Sequence, residues 1–220
     1  MLPRLWLALL PIPLLAQDFA VAPLSQLASS PDGSYVLFQS RFGRKGLQEA
    51  GREKIFRWDA RGIRLEVDRP GRDVVDPQVS SDGVVFAFTI RPSETVFRGA
   101  TGEFNSPGRW KMSRNGAWAI EPTAKRRMNL RTRGEVAVAC EDPLLSVTND
   151  GRVLCGRYAR AALWSPERSQ PLDLGTGFIE PLAVDPSGTV LVLIDSSVQL
   201  MARRVSDGKL LASCFSCLAP

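Results

Sequence analysis

The stretch SPDGSYVLF, residues 30 to 38, places a Ser-Pro-Asp-Gly turn directly before an apolar run that favours β-structure. The arrangement returns four times, as SSDGVVFAF from Ser80, SRNGAWAI from Ser113, TNDGRVLC from Thr148 and DPSGTVLVL from Asp185. The turn residues of the five copies are Asp32 and Gly33, Asp82 and Gly83, Asn115 and Gly116, Asp150 and Gly151, and Ser187 and Gly188. Successive turn glycines lie 50, 33, 35 and 37 residues apart, and a period of about 40 residues indicates a repeat architecture.

The composition of the turn explains why it connects two strands. Asp or Asn followed by Gly supports the positive φ angles of a two-residue type I′ or II′ hairpin, so the turns are predicted to be of that kind. The runs that follow them are apolar. VVFAFTI (Val84 to Ile90) and TVLVLI (Thr189 to Ile194) are predicted to be strands buried on both faces.

Each repeat also has a second half that is typical of a hairpin, and its turns include Arg61-Gly62, Arg133-Gly134 and Asp207-Gly208. Each unit of about 40 residues therefore holds four short strands. Four antiparallel strands per repeat, stacked radially, form a β-propeller blade. A β-sandwich also has many short strands, but it would not repeat one turn signature at a fixed period. The predicted fold is an all-β propeller with about five four-stranded blades.

The motif P-x-x-S-x-D-G-x-x-x-x-F, which fits best from Pro77 to Phe88, resembles the WD-like repeats of the periplasmic TolB-type β-propellers. The resemblance covers nearly the whole chain after the N-terminal segment, and the copy at Ser113 matches weakly. KIFRWDARGIRLEV and DPQVSSDGVVFAFT are also similar to the N-terminal propeller of large secreted bacterial proteins. These resemblances imply binding to other proteins rather than catalysis. They transfer no binding residue, because the shared motif is a structural turn.

The N-terminal segment has the pattern of a secretory signal peptide. Arg4 precedes an apolar stretch from Leu5 to Ala16, and two prolines within this stretch disfavour a long helix. The prediction is a signal peptide at residues 1–16, a propeller over residues 17–220, and a secreted or periplasmic location. No run of about 18 or more apolar residues is present, so no membrane span is predicted.

The sequence is compatible with two arrangements of the blades, a closed ring and an incomplete ring. Propellers typically have about 4 to 8 blades, and a ring must close to remove its edges. Asp18 to Ala22 could add an outer strand to the last blade. Alternatively, five blades form an incomplete ring, and further C-terminal blades or a further domain complete it.

The sequence lacks the residues of several kinds of chemistry. There is no histidine, which excludes Ser-His-Asp and Cys-His nucleophile systems and His-ligated metals. Phosphate-binding and dinucleotide-binding glycine motifs are missing as well. Two carboxylate pairs, Asp73 with Asp76 and Glu141 with Asp142, are interpreted as loop or turn residues. We assign no catalytic, cofactor-binding or metal-binding residue and expect no cofactor.

Four cysteines in an exported chain suggest disulfides. Cys140 and Cys155 lie on neighbouring predicted strands, and we expect them to be bonded. Cys214 and Cys217 either pair locally or stay reduced. A redox role for CFSC is disfavoured because the motif follows a strand, and a four-cysteine zinc site is disfavoured because only one pair has zinc-like spacing.

The formal net charge is +5, with many of the basic residues before position 135. A basic face could bind nucleic acid, but the charges are spread over several blades without interleaved stacking aromatics, so nucleic acid is disfavoured as a partner. Trp58, Trp110, Trp118 and Trp164 are expected to pack between blades. The favoured function is a non-catalytic secreted binding or scaffold propeller with an unknown protein or glycan ligand. The alternative is an extracellular enzyme, a hydrolase or lyase acting on polysaccharide.

Overall fold

A computed structural model describes residues 19–21, 25–30, 32–40, 42–44, 53–168, 170–175 and 178–214. The predicted signal peptide at residues 1–16 lies outside this part of the chain. The described residues form strands and turns and contain no helix. Twenty of the strands form five four-stranded antiparallel sheets, which we call blades 1 to 5, and two strands form a separate pair.

The strand bounds, in chain order, are as follows. The first ten strands are β1 (Phe19–Val21), β2 (Ser25–Ser29), β3 (Tyr35–Ser40), β4 (Phe42–Arg44), β5 (Lys54–Asp59), β6 (Gly62–Val67), β7 (Val74–Val79), β8 (Phe86–Ile90), β9 (Glu94–Gly99) and β10 (Gly102–Pro107). The next four are β11 (Lys111–Met112), β12 (Trp118–Glu121), β13 (Arg126–Asn129) and β14 (Glu135–Ala137). The last eight are β15 (Leu144–Val147), β16 (Val153–Arg157), β17 (Arg160–Trp164), β18 (Leu172–Asp173), β19 (Phe178–Val184), β20 (Val190–Asp195), β21 (Leu200–Arg204) and β22 (Leu210–Cys214).

Each blade is an antiparallel meander. Blade 1 has the strand order β2-β3-β5-β6, and blades 2 to 5 consist of β7 to β10, β11 to β14, β15 to β18 and β19 to β22. The first strands of consecutive blades contact one another, as β2 does with β7 and β15 with β19. The first strands therefore form the inner edge of the arrangement, as in a propeller.

The N-terminal strand does not complete the last blade. β1 pairs with β4, with Phe19 opposite Arg44, and β4 belongs to the connection between the second and third strands of blade 1. Blade 5 already has four strands of its own. The possibility that Asp18 to Ala22 add an outer strand to the last blade is thus excluded for the three of these residues that the structure describes.

Four hydrophobic clusters hold consecutive blades together. They join blade 1 to 2 around Ile55 and Phe88, blade 2 to 3 around Phe97 and Trp110, blade 3 to 4 around Ile120 and Val153, and blade 4 to 5 around Leu154 and Leu193. Within the described ranges, no such cluster joins blade 5 to blade 1. Five blades therefore share four packed junctions.

The five recurring turns are longer than the predicted two-residue hairpins. The N–H of Ser80 donates to the carbonyl of Val85 at 2.9 Å, and the N–H of Gly83 donates to the carbonyl of Ser80 at 2.9 Å. The first, third and fifth turns have the same pattern over four loop residues, and the turn at Thr148 has three. The turn glycines have φ between 69° and 86°. The prediction of types I′ and II′ was wrong because side chains stabilise a longer loop.

Those side chains are a hydroxyl and a carboxylate two residues apart. The Ser80 hydroxyl lies 2.5 Å from Asp82 Oδ1, which also accepts the Val84 N–H at 3.0 Å, while Ser80 Oγ accepts the Val85 N–H at 2.9 Å. The Ser80 hydroxyl and then the Val84 N–H lower the pKa of Asp82. A short polar side chain that satisfies nearby backbone N–H groups is the usual reason for Ser and Asp in such turns.

The fifth turn uses the same pair in the opposite order. Asp185 occupies the first position, where its Oδ1 accepts the N–H groups of Thr189 and Val190 at 2.6 Å each. Ser187 occupies the third position and donates its hydroxyl to Asp185. DPSG is therefore an equivalent of SSDG with the carboxylate and the hydroxyl exchanged.

The apolar strands after the turns differ in burial. In blade 2, the prediction holds for Ala87 to Ile90, which are all buried, although Val84 and Val85 belong to the turn region rather than to β8. In blade 5, the prediction is wrong, because burial alternates along β20. Leu191 and Leu193 pack against blade 4, whereas the opposite face is only half-buried. Blade 5 has a described neighbour on one side only.

The predicted disulfide is confirmed. Cys140 and Cys155 are bonded, with a Cα–Cα distance of 6.3 Å. The bond joins the connection between blades 3 and 4 to the second strand of blade 4, inside the cluster that packs these blades. No described cysteine is a free thiol, Cys214 included, and Cys217 lies outside the described residues.

Three of the four tryptophans pack between blades as expected. Trp110 and Trp164 are buried, and Trp118 packs against the cluster between blades 3 and 4. Trp58 is the exception, with 59% of its surface exposed. The reason is its position on β5. Ile55 packs against blade 2, and Trp58, three residues later, lies on the opposite face, which points away from blade 2.

Candidate functional site

A cleft of about 640 Å³ lies across the inner strands of blades 1, 2 and 3, and we call it the inner cleft. Clefts of this size at the mouth of closed β-structures are common ligand sites. It is lined by Leu27, Asp76, Pro77, Gln78, Thr89, Arg109, Trp110, Lys111, Pro122 and Thr123.

Asp76 lies in the inner cleft because β7 is irregular there. The register of β7 against β8 shifts between Val75 and Gln78, and Asp76 has a left-handed φ of 54°. An extra residue in one strand redirects the side chains beside it, which is why such bulges occur next to binding sites. Arg109, in the connection between blades 2 and 3, donates to Asp76 Oδ2 at 2.6 Å. This ion pair therefore ties that connection to the first strand of blade 2 at the cleft.

Two glutamines hold the cleft walls in place. Gln78 donates to the carbonyl of Trp110 at 2.8 Å and accepts the N–H of Met112 at 2.7 Å, so its amide joins β7 to the first strand of blade 3. Gln39 is buried in blade 1, and its Oε1 accepts the N–H of Asp76 at 3.2 Å. Satisfied side-chain hydrogen bonds of this kind preorganise a site.

The cleft carries an excess of positive charge. Asp76 is paired with Arg109, whereas Lys111 has no acidic partner among the described residues. The Lys111 Nζ contacts only a backbone oxygen, that of Leu145 at 3.4 Å, and the residue is exposed. An ammonium group in this position can form a charge-assisted hydrogen bond with a carboxylate.

One exposed apolar side chain lies beside these charges: Leu27, from the first strand of blade 1, is 66% exposed at one wall. Trp110 belongs to the core beneath the cleft. It is 1% exposed, packs edge-on against Phe97 at 6.5 Å between ring centroids, and donates its indole N–H to the carbonyl of Pro107 at 3.0 Å. The inner cleft thus combines an exposed apolar side chain, the exposed ammonium group of Lys111 and a preformed ion pair.

A second cleft, of about 610 Å³, lies beside the Cys140–Cys155 disulfide. Its buried carboxylate, Asp142, is already paired with Arg157 at 2.8 Å and lies 3.9 Å from Arg160. Two exposed carboxylates, Glu141 and Asp173, also line this cleft. Its lining is therefore acidic apart from Arg160, and it offers an acidic ligand less than the inner cleft does.

The two carboxylate pairs singled out from the sequence serve separate partners. Asp73 Oδ1 accepts the N–H of Glu53 at 2.8 Å, while Asp76 binds Arg109. Asp142 binds arginines, and its neighbour Glu141 is exposed. The structure therefore uses three of these four carboxylates to tie elements together. Within the described residues, no three His, Cys, Asp or Glu side chains could hold a metal ion together.

Ion pairs neutralise part of the basic cluster before residue 135. They join Arg69 and Arg98 to Glu103, Arg72 to Glu94, Arg109 to Asp76, and Arg126 to Glu135. Exposed pairs of this kind contribute little stability, and they compensate part of the positive charge that binding to a phosphate backbone requires.

The described part of the chain contains no helix with the length and hydrophobicity needed to cross a bilayer.

The turns line up next to one another at one end of the blades. The N–H of Ser81 donates to the carbonyl of Arg114 at 2.5 Å, and the N–H of Asn149 donates to the carbonyl of Pro186 at 2.7 Å. Asn115 donates through its backbone and its amide to Asn149 of blade 4. The turn residues found in the sequence therefore connect neighbouring blades and do not line the inner cleft.

The comparisons with known proteins agree with this architecture. No family model matches the chain, and no curated protein matches it. Among solved structures, the chain is similar to TolB from Acinetobacter baumannii, with a TM-score of 0.53 and 14% sequence identity. The match covers 86% of this chain and 53% of that chain, so this chain corresponds to about half of that protein. The predicted TolB-like β-propeller arrangement is confirmed, and at this identity the likeness concerns the fold alone.

Proposed function

We propose that this protein is a binding or scaffold propeller that acts outside the cytoplasm and recognises an acidic segment of a partner protein through the inner cleft. The observation that carries the proposal is Lys111, an exposed ammonium without an acidic partner among the described residues, in a cleft that also exposes Leu27. A side chain or chain terminus with a carboxylate would satisfy Lys111, and an apolar neighbour in the same segment would contact Leu27.

An extracytoplasmic location accords with two features. The Cys140–Cys155 disulfide is of a kind that persists in oxidising compartments. The segment at residues 1–16 has the composition of a signal peptide and remains a prediction. Both features suit a protein whose partner is on or outside the cell envelope.

The enzymatic alternative receives no comparable support. Hydrolysis of a glycosidic bond generally needs two carboxyl groups that flank the bond. The residues lining the inner cleft include one carboxylate, Asp76, and Arg109 already binds it. We therefore retain binding as the proposed function.

The test is a peptide-display selection on the immobilised chain, followed by affinity measurement for the enriched peptides. We expect acidic peptides, whose affinity falls at least about tenfold in Lys111→Glu because attraction becomes repulsion. Lys209→Glu makes the same charge change on an exposed turn of blade 5 and should leave the affinity unchanged. Enriched peptides that bind Lys111→Glu as tightly as the unmodified chain would refute the proposed site.

A further inference from the structure

A hairpin of blade 4 lies next to the inner cleft. Residues 157–160 form its turn, which joins β16 to β17, and we call them the blade 4 tip. Lys111 of the cleft reaches the carbonyl of Leu145 at 3.4 Å. The Leu145 side chain lies 3.4 Å from the position that a Cβ on Gly156 would occupy, and Gly156 directly precedes the tip. A ligand that leaves the cleft beside Lys111 therefore passes close to the blade 4 tip.

A second path of contacts joins the inner cleft to the blade 4 tip through blade 3. Thr123 lines the cleft, and Lys125, two residues later, donates to the carbonyl of Glu141 at 2.5 Å. The residue after Glu141 is Asp142, which forms an ion pair with Arg157 of the tip. Two separate paths thus place the tip beside the cleft, so one extended ligand can contact both.

Arg157 presents an oriented guanidinium group at the blade 4 tip. Its Nε lies 2.8 Å from Oδ1 of Asp142, whose side chain is 11% exposed, whereas the Arg157 side chain is 63% exposed. Arg160 lies 3.9 Å from the other oxygen of Asp142, so one carboxylate faces two cations. Within the described residues, the two terminal nitrogens of Arg157 form no ion pair or hydrogen bond. Because an arginine has five N–H donors in a fixed plane, this terminal pair can bind a second carboxylate while Asp142 holds Nε.

Tyr158 places an exposed aromatic ring beside Arg157. The residue is 74% exposed, and its hydroxyl has no hydrogen-bond partner among the residues that the structure describes. Tyrosine and arginine are enriched among the residues that contribute most to binding energy at protein interfaces. Neither Arg157 nor Tyr158 lines the second cleft, where Glu141 and Asp173 would repel an acidic ligand. The pair therefore offers such a ligand a cation and an apolar surface.

We propose that the acidic segment bound in the inner cleft continues over the blade 4 tip, where a second carboxylate of the segment binds Arg157. An apolar residue between the two carboxylates packs on Tyr158 and on Leu145, which is half-buried between the two cations. The partner therefore presents an extended segment in which two acidic residues flank an apolar one. This inference rests on the proposed function, because Lys111 binds the first carboxylate.

The test uses synthetic copies of the peptides that a display library enriches on the unmodified chain, with each acidic residue replaced in turn by its amide. Arg157→Gln should lower the affinity for peptides with both acidic residues about tenfold, because a charge-assisted hydrogen bond is lost. It should leave the affinity unchanged for peptides that lack the acidic residue facing it, whereas a merely structural role of Arg157 would weaken both peptides alike. Tyr158→Ala should lower the affinity about threefold or more through lost apolar contact.

Two checks accompany these variants. Arg157→Gln places no negative charge beside Asp142, and Tyr158 is exposed, so both variants should fold, which circular dichroism measures. Arg204→Gln is the matched control, because Arg204 is an exposed arginine that is paired with one aspartate, Asp207, on blade 5. It should bind every peptide as the unmodified chain does.

Lys111→Glu separates this inference from the proposed function. Weaker binding in Lys111→Glu, with unchanged binding in Arg157→Gln and Tyr158→Ala, would overturn the extension over the blade 4 tip and leave the inner cleft as the site. Enriched peptides with a single acidic residue would overturn it in the same way. Unchanged binding in Lys111→Glu would overturn the proposed function and this inference together. Losses in Lys111→Glu and Arg157→Gln that depend on different acidic residues of one peptide would support both.

Discussion

Replacing Gly116 with alanine should destabilise the protein more than the same replacement at Gly33, although both residues have φ of 69°. The left-handed conformation costs alanine about 1–2 kcal/mol. The reduced freedom of the unfolded chain returns about 0.4–1 kcal/mol. At Gly33, where a Cβ would meet nothing within 4 Å, the net loss should therefore be about 1 kcal/mol.

At Gly116 a steric cost is added. A Cβ there would lie 2.8 Å from the Cβ of Ser80 and 2.9 Å from the side chain of Val85, across the junction between blades 2 and 3. Ser80 is fully buried, and its Cβ is fixed to the backbone, so it cannot move aside. Overpacking of this kind costs about 1–3 kcal/mol, which brings the expected total to about 2–4 kcal/mol.

The assay is urea unfolding followed by tryptophan fluorescence, at a concentration where the chain is monomeric. Gly83→Ala is a second control, because its nearest neighbour, the Tyr35 hydroxyl, is at an ordinary contact distance of 3.8 Å. It should lose about as much stability as Gly33→Ala. Equal unfolding free energies for Gly116→Ala and Gly33→Ala would refute the argument that turn glycines pack against the preceding blade.

Three further predictions concern acid stability, the disulfide and export. The pKa of Asp82 is lowered in the folded protein, so its ionised form stabilises the fold above the unfolded pKa of about 3.9, and this contribution is lost as the pH falls below that value. Asp82→Asn should therefore lose less stability between pH 7 and pH 3 than the unmodified chain does. Equal losses of unfolding free energy in urea titrations would contradict this. Replacing Cys140 and Cys155 with alanine should cost about 3 kcal/mol, since the bond closes a loop of 15 residues; unchanged unfolding under non-reducing conditions would count against it. N-terminal sequencing of exported protein should begin near Gln17, and an intact Met1 would argue against a signal peptide.

The repeat architecture could be predicted from the sequence because its signal is local. The turn motif needs glycine for positive φ and a hydroxyl–carboxylate pair for the nearby N–H groups, and both requirements fall within six residues, as in Ser80 to Val85. The loop length was mispredicted because Asp-Gly also suits two-residue hairpins. Only the hydrogen bonds of Ser80 distinguish the longer loop.

Burial in the first and last blades was mispredicted for a different reason. An apolar run such as Thr189 to Ile194 indicates that both faces of a strand are suited to packing, but it does not indicate whether a neighbour is present. The same reasoning applies to Trp58, which lies on the face of blade 1 that points away from blade 2 and is exposed.

The inner cleft could not be assembled from the sequence. Asp76 and Arg109 are 33 residues apart and meet only because the connection into blade 3 passes beside the first strand of blade 2. Asp76 was recognised as part of a turn motif, and Lys111 as one member of a basic cluster. The spacing between turns offers the one usable signal. Asp76 and Lys111 lie on first strands, four and two residues before the turns at Ser80 and Ser113, and Arg109 comes two residues before β11.

Exposure of the blade 1 face that points away from blade 2 is tested most directly by acrylamide quenching of tryptophan fluorescence in the exported chain. Trp58 is exposed on that face, whereas Trp110 and Trp164 are buried. We expect a strongly quenched component that disappears in Trp58→Phe. A fluorescence that resists quenching would show that Trp58 is covered within one chain, as in a closed five-bladed ring, and would contradict the account.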